Sequence, residues 1–230
     1  MSGRIAIITA RGGSKRIPGK NIREFCGKPI LCYSIEAALE SGIFDEVMVS
    51  TDSEEIAHIA REAGANVPFM RSERTSNDFA TTADVLMEVI EEYKKKELSF
   101  EYACCIYPTA PFVTAKKIKE GMQLLMENDV DTVMPVVQFS FPPQRGVVVC
   151  DGLLKVKSPE EFRMRSQDLE PIYHDVGQFY CFDVERFMHN KKLVSDRCMP
   201  IIVSDLEVQD IDNEEDWKIA EMKYRLMQKL

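Results

Sequence analysis

Residues 10–21 read Ala-Arg-Gly-Gly-Ser-Lys-Arg-Ile-Pro-Gly-Lys-Asn, four cations set among three glycines. Glycine lets a backbone approach a ligand with its N–H groups turned toward it. Arg11, Lys15, Arg16 and Lys20 add charge for phosphate oxygens. Together they describe a triphosphate cradle, against the blander reading of a flexible basic surface loop. Two familiar phosphate motifs do not fit. A Walker A loop places four residues between its glycine and Gly-Lys-Ser/Thr, whereas Gly13 and Gly19 enclose five and Asn21 stands where the hydroxyl residue should be. The Gly-x-Gly-x-x-Gly dinucleotide fingerprint is absent. Near the other end, residues 205–216 hold seven Asp/Glu and no base. Such a patch suits a cation bound through carboxylate oxygens, or is simply a solvated acidic face.

The whole chain sets limits on these sites. Its 230 residues are 45% hydrophobic and 29% charged, enough apolar material for a packed core and ordinary for one α/β unit. The net charge of −9 excludes a non-specific nucleic-acid binder, which needs a basic face. Within that acidic average, residues 4–28 carry seven Lys/Arg against the single acid Glu24, which suits a small anionic ligand. The seven cysteines are odd in number, form no Cys-x-x-Cys pair and sit mostly in apolar runs; they read as buried small hydrophobes of a reducing compartment. With no signal-like N-terminus and no apolar run of membrane-spanning length, the expectation is a cytoplasmic protein with no membrane partner.

The elements that must position the loops follow from periodicity. Ile5–Thr9 reads as a buried strand feeding directly into the basic loop. Pro29–Ser41 has helical spacing and stops at Gly42. Glu46–Ser50 is a strand, and Asp52-x-x-Glu55 resembles a capping box opening a helix that ends near Gly64. Val67–Met70 reads as a short strand, Thr82–Lys96 as an amphipathic helix, Tyr102–Tyr107 as a strand, Thr114–Asn128 as a helix capped by Thr114, and Asp131–Gln138 as a strand. This alternation implies a doubly wound, mostly parallel α/β sheet as a single domain over residues 1–230. Ligands in such sheets sit beyond the carboxyl ends of the strands, which gathers Thr9–Lys20, Arg71–Asp78 and Pro108–Phe112 at one rim. Residues 139–175 break the pattern with short β segments at Val147–Cys150 and Leu153–Val156. Gly177–Phe182 resumes as a strand, and Asn213–Leu230 closes the chain as a helix capped by Asn213, with Trp217, Ala220, Tyr224 and Met227 on one side.

The run Ile-Thr-Ala-Arg-Gly-Gly-Ser-Lys-Arg-Ile-Pro-Gly-Lys-Asn resembles the N-terminal signature of the CMP-sialic acid synthetases, the acylneuraminate cytidylyltransferases. Ser50-Thr51-Asp52-Ser53, Arg71-Ser72-x-x-x-Ser76-Asn77-Asp78, Pro108-Thr109-Ala110-Pro111 and Gln209-Asp210-Ile211-Asp212 match further motifs in the same order, so the resemblance spans nearly the whole chain. It implies a nucleotide-diphospho-sugar transferase-like fold, with residues 139–175 as a β-rich dimerisation insertion of a homodimer. It assigns CTP to Arg11, Gly12, Gly13, Ser14, Lys15, Lys20, Asn21 and Asp78. Arg71 is placed near the cytosine, whose O2 and N3 accept from an arginine fork; the alternative is an arginine that caps a carbonyl or pairs with Glu73. It assigns Mg²⁺ to Asp210 and Asp212, which in an extended segment point to one face. Arg11, Lys15, Lys20, Asp210 and Asp212 are the candidate catalytic set.

The acceptor side is read from Arg163–Pro171 and Tyr173–Tyr180. The resemblance puts Arg165 on the carboxylate of a sugar acid, a bidentate contact that selects acidic sugars, with Arg145 assisting and Gln167 in the same segment. Tyr107-Pro-Thr-Ala-Pro replaces the sialic acid enzymes' Gln-Pro-Thr-Ser-Pro, and His174-Asp-Val-Gly-Gln178-Phe179 stands where those enzymes usually carry Asn-Gly and small residues. Both departures look like the pseudaminic acid cytidylyltransferases. His174 is assigned to recognition ahead of general-base work; His58 and His189 read as surface residues. The implied reaction is attack of the anomeric hydroxyl of pseudaminic acid on the α-phosphorus of CTP, carried by positioning and charge. Neighbouring readings are the same transfer to N-acetylneuraminic, legionaminic or 3-deoxy-manno-octulosonic acid, and, from another class, a non-catalytic nucleotide-sugar sensor.

Overall fold

Strand β1 (Gly3–Thr9) is an interior strand of the main sheet and sets where the cationic loop begins. Its side chains alternate between two apolar layers, Ala6 and Ile8 on one face and Ile5 and Ile7 on the other, all within 1% of complete burial. The structure, a computed structural model, describes residues 3–229. After the loop come a two-residue hairpin, β2 (Glu24–Phe25) and β3 (Lys28–Pro29), then α1 (Ile30–Ser41), β4 (Glu46–Ser50) and α2 (Glu54–Glu62). A short α3 (Glu73–Ser76) precedes α4 (Thr82–Lys95), β5 (Phe100–Ile106), α5 (Ala115–Glu127) and β6 (Thr132–Gln138). The irregular stretch folds as the antiparallel hairpin β7 (Val147–Cys150) and β8 (Leu153–Val156), α6 (Pro159–Phe162) and β9 (Tyr173–Asp175). The chain ends with β10 (Phe179–Asp183), α7 (Val184–Asn190), β11 (Cys198–Ile202) and α8 (Glu214–Met227).

The main sheet runs β11-β6-β10-β5-β1-β4, with β9 also paired to β6. β1 pairs parallel with β4 and β5, and β6 with β11. β10 lies antiparallel between β5 and β6, so the sheet is mixed rather than fully parallel. Helices α1, α2 and α5 cover one face and α4 and α7 the other. Gly121 in α5 sits so close to the sheet that a Cβ there would meet the Phe179 ring at 3.0 Å and Cys181 Sγ at 3.2 Å. A third cluster, Ile17, Phe25, Ile30, Tyr33, Phe112, Ile211 and Trp217, ties the cationic loop to α8.

Three local expectations change. Val67–Met70 is not a strand: Asn66 makes an isolated bridge to Met48, and Pro68, which has no N–H to give a ladder, follows at once. The cap of α2 is Ser53, whose hydroxyl accepts from Ile56 N, and Asp52 is left for another task. β9, α7 and β11 were not foreseen; β11 carries Pro200, which an edge strand tolerates.

Candidate active site

The carboxyl ends of β1, β4 and β5 open onto a cleft of about 450 Å³ lined by Arg11, Gly13, Ser14, Arg16, Lys20, Asn21, Arg71, Asp78 and Tyr107, among others. The cationic loop is built to stay in this mouth. Ala10 N donates to Ser50 O at 3.0 Å, extending the β1–β4 pairing one residue past the strand. Gly12 N donates to Asp52 Oδ1 at 2.8 Å, and a Cβ on Gly12 would meet Ser53 Cβ at 3.0 Å, so a side chain there would push against the β4–α2 turn. Asn21 is 7% exposed and donates from Nδ2 to Arg11 O at 2.8 Å. Buried Ile17 anchors the middle of the loop in the core. Arg11, Ser14, Lys15 and Arg16 are left facing outward between these fixed points.

Arg71 forms the wall opposite. It is 8% exposed, donates from Nε to Ser50 Oγ at 3.0 Å and from Nη2 to Ser50 O at 2.5 Å, and makes no pair with Glu73. Burial draws its guanidinium down to about 10, with Asp52 and Glu88 pulling the other way, so it stays charged at neutral pH. Glu88, from α4, holds the segment that carries Arg71. Its carboxylate accepts from Ser72 N at 2.8 Å, Ser72 Oγ at 2.6 Å and Thr75 Oγ1 at 2.6 Å. Ser50, Asp52 and Glu88 are functional supports that the sequence reading did not assign. A carboxylate next to a glycine-rich loop in a motif such as Ser50-Thr51-Asp52-Ser53 was the available signal for Asp52.

The acidic segment meets the basic one directly. Arg16 pairs with Asp212 at 2.7 Å, Arg23 with Glu214 at 2.5 Å, and Lys20 Nζ donates to Ile211 O at 2.7 Å. Burial lowers the Lys20 pKa from its ordinary value, against the opposing charges of Asp212 and Asp210. Ile211 is 1% exposed while Asp210 and Asp212 on either side reach solvent, the alternation that an extended segment gives. Hard carboxylate oxygens beside a phosphate loop are a donor set that suits a divalent cation such as Mg²⁺. Among the described residues no cluster of three His/Cys/Asp/Glu could hold a metal alone, so an ion at this pair would need further oxygens from a ligand or water.

The acceptor residues divide. Tyr107 lies in the cleft, with its hydroxyl 3.2 Å from Thr82 Oγ1 and its ring 5.5 Å from that of Tyr180. Tyr180 donates to Asp175 Oδ2 at 2.5 Å, and burial together with that carboxylate raises its pKa strongly. Phe179 is a correction: it is fully buried in the core against α5, because β10 turns alternate residues to opposite layers, and it cannot touch a sugar. Gln178 is a second correction. It is 3% exposed and donates to Glu207 O at 2.6 Å, so it braces the turn leading into the acidic segment, where Lys117 also pairs with Glu207. His174 stands on β9 against Phe139 and lines a separate apolar cavity with Met134, Val136, Cys198 and Ile202. Arg145, Arg165 and Gln167 are exposed on the insertion and do not line the cleft of this chain; Arg145 donates to Ser166 Oγ, and Arg165 clasps Asp168 with two bonds of 2.7 and 3.1 Å. His58 and His189 are exposed on helices.

Comparison with known proteins matches a family model described as cytidylyltransferase to residues 5–207. The chain is 35% identical over 223 residues to a pseudaminic acid cytidylyltransferase of Campylobacter jejuni, covering 96% of each. It is 33% identical over 235 residues to a CMP-N,N'-diacetyllegionaminic acid synthase of Legionella pneumophila, covering 97% of each. Among solved structures, a CMP:2-keto-3-deoxy-manno-octonic acid synthetase complexed with CTP superimposes with a TM-score of 0.71 over 100% of both chains at 18% identity, a likeness of fold.

Proposed function

The chain belongs to the cytidylyltransferase family, and on that premise we propose that it transfers CMP from CTP to the anomeric hydroxyl of a nine-carbon sugar acid, pseudaminic acid, with release of pyrophosphate. The observation that carries this reading is a meeting of opposite charges at the cleft: Arg11, Arg16, Lys20 and the buried Arg71 line it, Asp212 pairs with Arg16, and Asp210 and Asp212 both act on the charge of Lys20. Arg11, Lys15 and Lys20 bind the triphosphate and hold its α-phosphorus for in-line attack. Lys20 is the best placed for the reacting phosphates, since it is partly withdrawn from water, where its charge acts more strongly on a developing oxyanion. Arg71, rigid on Ser50, presents its free edge to the base. Asp210 and Asp212 would hold Mg²⁺, which would supply charge neutralisation for the transferring phosphate and its leaving group.

Tyr107 supports pseudaminic acid as acceptor, since it stands at the cleft where the sialic acid enzymes carry glutamine. Arg165 and Arg145 would receive the sugar carboxylate in the assembled enzyme, which we take to be a homodimer joined through the insertion. Val149, Leu153 and Leu154 on its hairpin are each more than 70% exposed, an apolar patch of the kind that partners cover. With CTP as donor and seven unbridged cysteines, the reaction belongs to the reducing cytoplasm. Steady-state kcat/KM for pseudaminic, N,N'-diacetyllegionaminic, N-acetylneuraminic and 3-deoxy-manno-octulosonic acids tests the acceptor. Pseudaminic acid is expected to lead by at least about tenfold, the effect of one well-made polar contact. A lead for legionaminic acid would move the assignment to the Legionella relative's reaction.

A further inference from the structure

Asp78 places an acid inside a site made for an anion. Its carboxylate accepts from Arg11 Nη1 at 2.9 Å and from Lys15 Nζ at 2.5 Å, so it holds two of the cations that the triphosphate needs. Arg11 Nη1 also reaches Asn77 O at 3.4 Å. The acid is presented by a defined turn: Asn77 Oδ1 accepts from Phe79 N at 2.8 Å and Ala80 N at 3.1 Å, and α4 begins just beyond at its Thr81–Asp84 capping box. Two oxygens sharing a negative charge satisfy Arg11 and Lys15 much as one phosphate would. A phosphate and the carboxylate compete for those cations, because like charges at such range repel. The two cations hold Asp78 below the usual carboxylate range, Lys15 foremost, so it carries its charge at neutral pH.

We infer that Asp78 is an internal competitor for the polyphosphate: it occupies Arg11 and Lys15 in the nucleotide-free protein, yields them to the phosphates of CTP, and takes them back as pyrophosphate leaves. The inference rests on the cleft being the CTP site. It makes Asp78 a determinant of product release rather than a nucleotide ligand. The pairs it forms are solvent-exposed, with side-chain exposures of 39% for Arg11, 82% for Lys15 and 44% for Asp78, so the competition is mild and reversible.

Calorimetric binding of inorganic pyrophosphate with magnesium chloride, to the wild type and to Asp78→Asn, tests this. Asp78→Asn is expected to bind pyrophosphate about three- to tenfold more tightly, the scale of two exposed ion pairs, while cytidine, which has no phosphate, binds both alike. In a Lys15→Gln background the gain from Asp78→Asn shrinks. Unchanged or weaker pyrophosphate binding by Asp78→Asn overturns the inference. The two readings fail separately. A chain showing the pyrophosphate pattern but no CTP turnover keeps the competitor and loses the transferase. One that turns over CTP with unaltered pyrophosphate affinity in Asp78→Asn loses the competitor alone.

Discussion

Lys20 shows how much a single position carries. It lines the cleft, its ammonium is tied to Ile211 O, and both Asp210 and Asp212 are close enough to act on its charge. It therefore joins the cationic loop to the acidic pair in one residue. Lys20→Met keeps most of the stem and removes the charge. It is expected to lower kcat by roughly 10²–10³-fold, the loss found when one oriented donor to a developing oxyanion is removed, with a smaller change in KM for CTP. Steady-state kinetics against CTP checks this, and a near-normal kcat would remove Lys20 from the reacting phosphates. Residue identity was most legible here: the glycines and cations of 10–21 mark a candidate phosphate loop from their types alone, and Arg11, Ser14, Arg16 and Lys20 line the cleft. Gln178 and Phe179 were misread for a reason also at this scale. A polar or aromatic residue beside a binding motif does not reveal which side of a strand it occupies until the register is fixed.

At the scale of elements, the wall that carries Arg71 depends on α4. Glu88 takes three hydrogen bonds from residues 72 and 75 while 7% exposed. Burial alone would raise its pKa, but the bonds from Ser72 and Thr75 and the charge of Arg74 outweigh it and leave it below glutamate's ordinary 4.5. A carboxylate with a depressed folded pKa adds stability that is present above the unfolded value and is lost as pH falls through the folded one. Glu88→Gln is thus expected to cost about 1–3 kcal/mol at neutral pH, measured by chemical denaturation. The gap to wild type should close in acid below 4.5; a gap independent of pH would refute the charged role. Most elements were legible from hydrophobic period and capping residues. Those that were not, among them β2, β3, α3, α6, β9, α7 and β11, are short, and β11 is an edge strand whose apolar pattern is interrupted by proline. The antiparallel placement of β10 was also hidden, since strand direction is a tertiary property that period-2 patterning does not encode.

The whole molecule accounts for the charge asymmetry of the chain. Composition offered the basic start and acidic end as two separate sites, one for an anion and one for a cation. The fold brings them face to face, through Arg16–Asp212, Arg23–Glu214 and Lys20–Ile211 O, and seals the contact beneath with Ile17, Ile211 and Trp217. A single site with both signs of charge suits a magnesium triphosphate better than either half alone. The insertion remains outside that closed unit, with apolar side chains on its hairpin exposed to solvent. Leu153→Glu with Leu154→Glu is expected to turn a homodimer into a monomer in sedimentation velocity, and to reduce sugar turnover more than CTP binding. A wild type that sediments as a monomer at micromolar concentration would contradict that assembly.

The transfer itself is tested most directly by incubating the purified chain with CTP, magnesium chloride and pseudaminic acid, and following pyrophosphate and CMP-sugar together. The account predicts that the two appear in equal amounts, that neither forms without the sugar acid, and that Asp212→Ala abolishes both. Pyrophosphate without CMP-sugar, or no turnover with any of the sugar acids despite bound CTP, would contradict it.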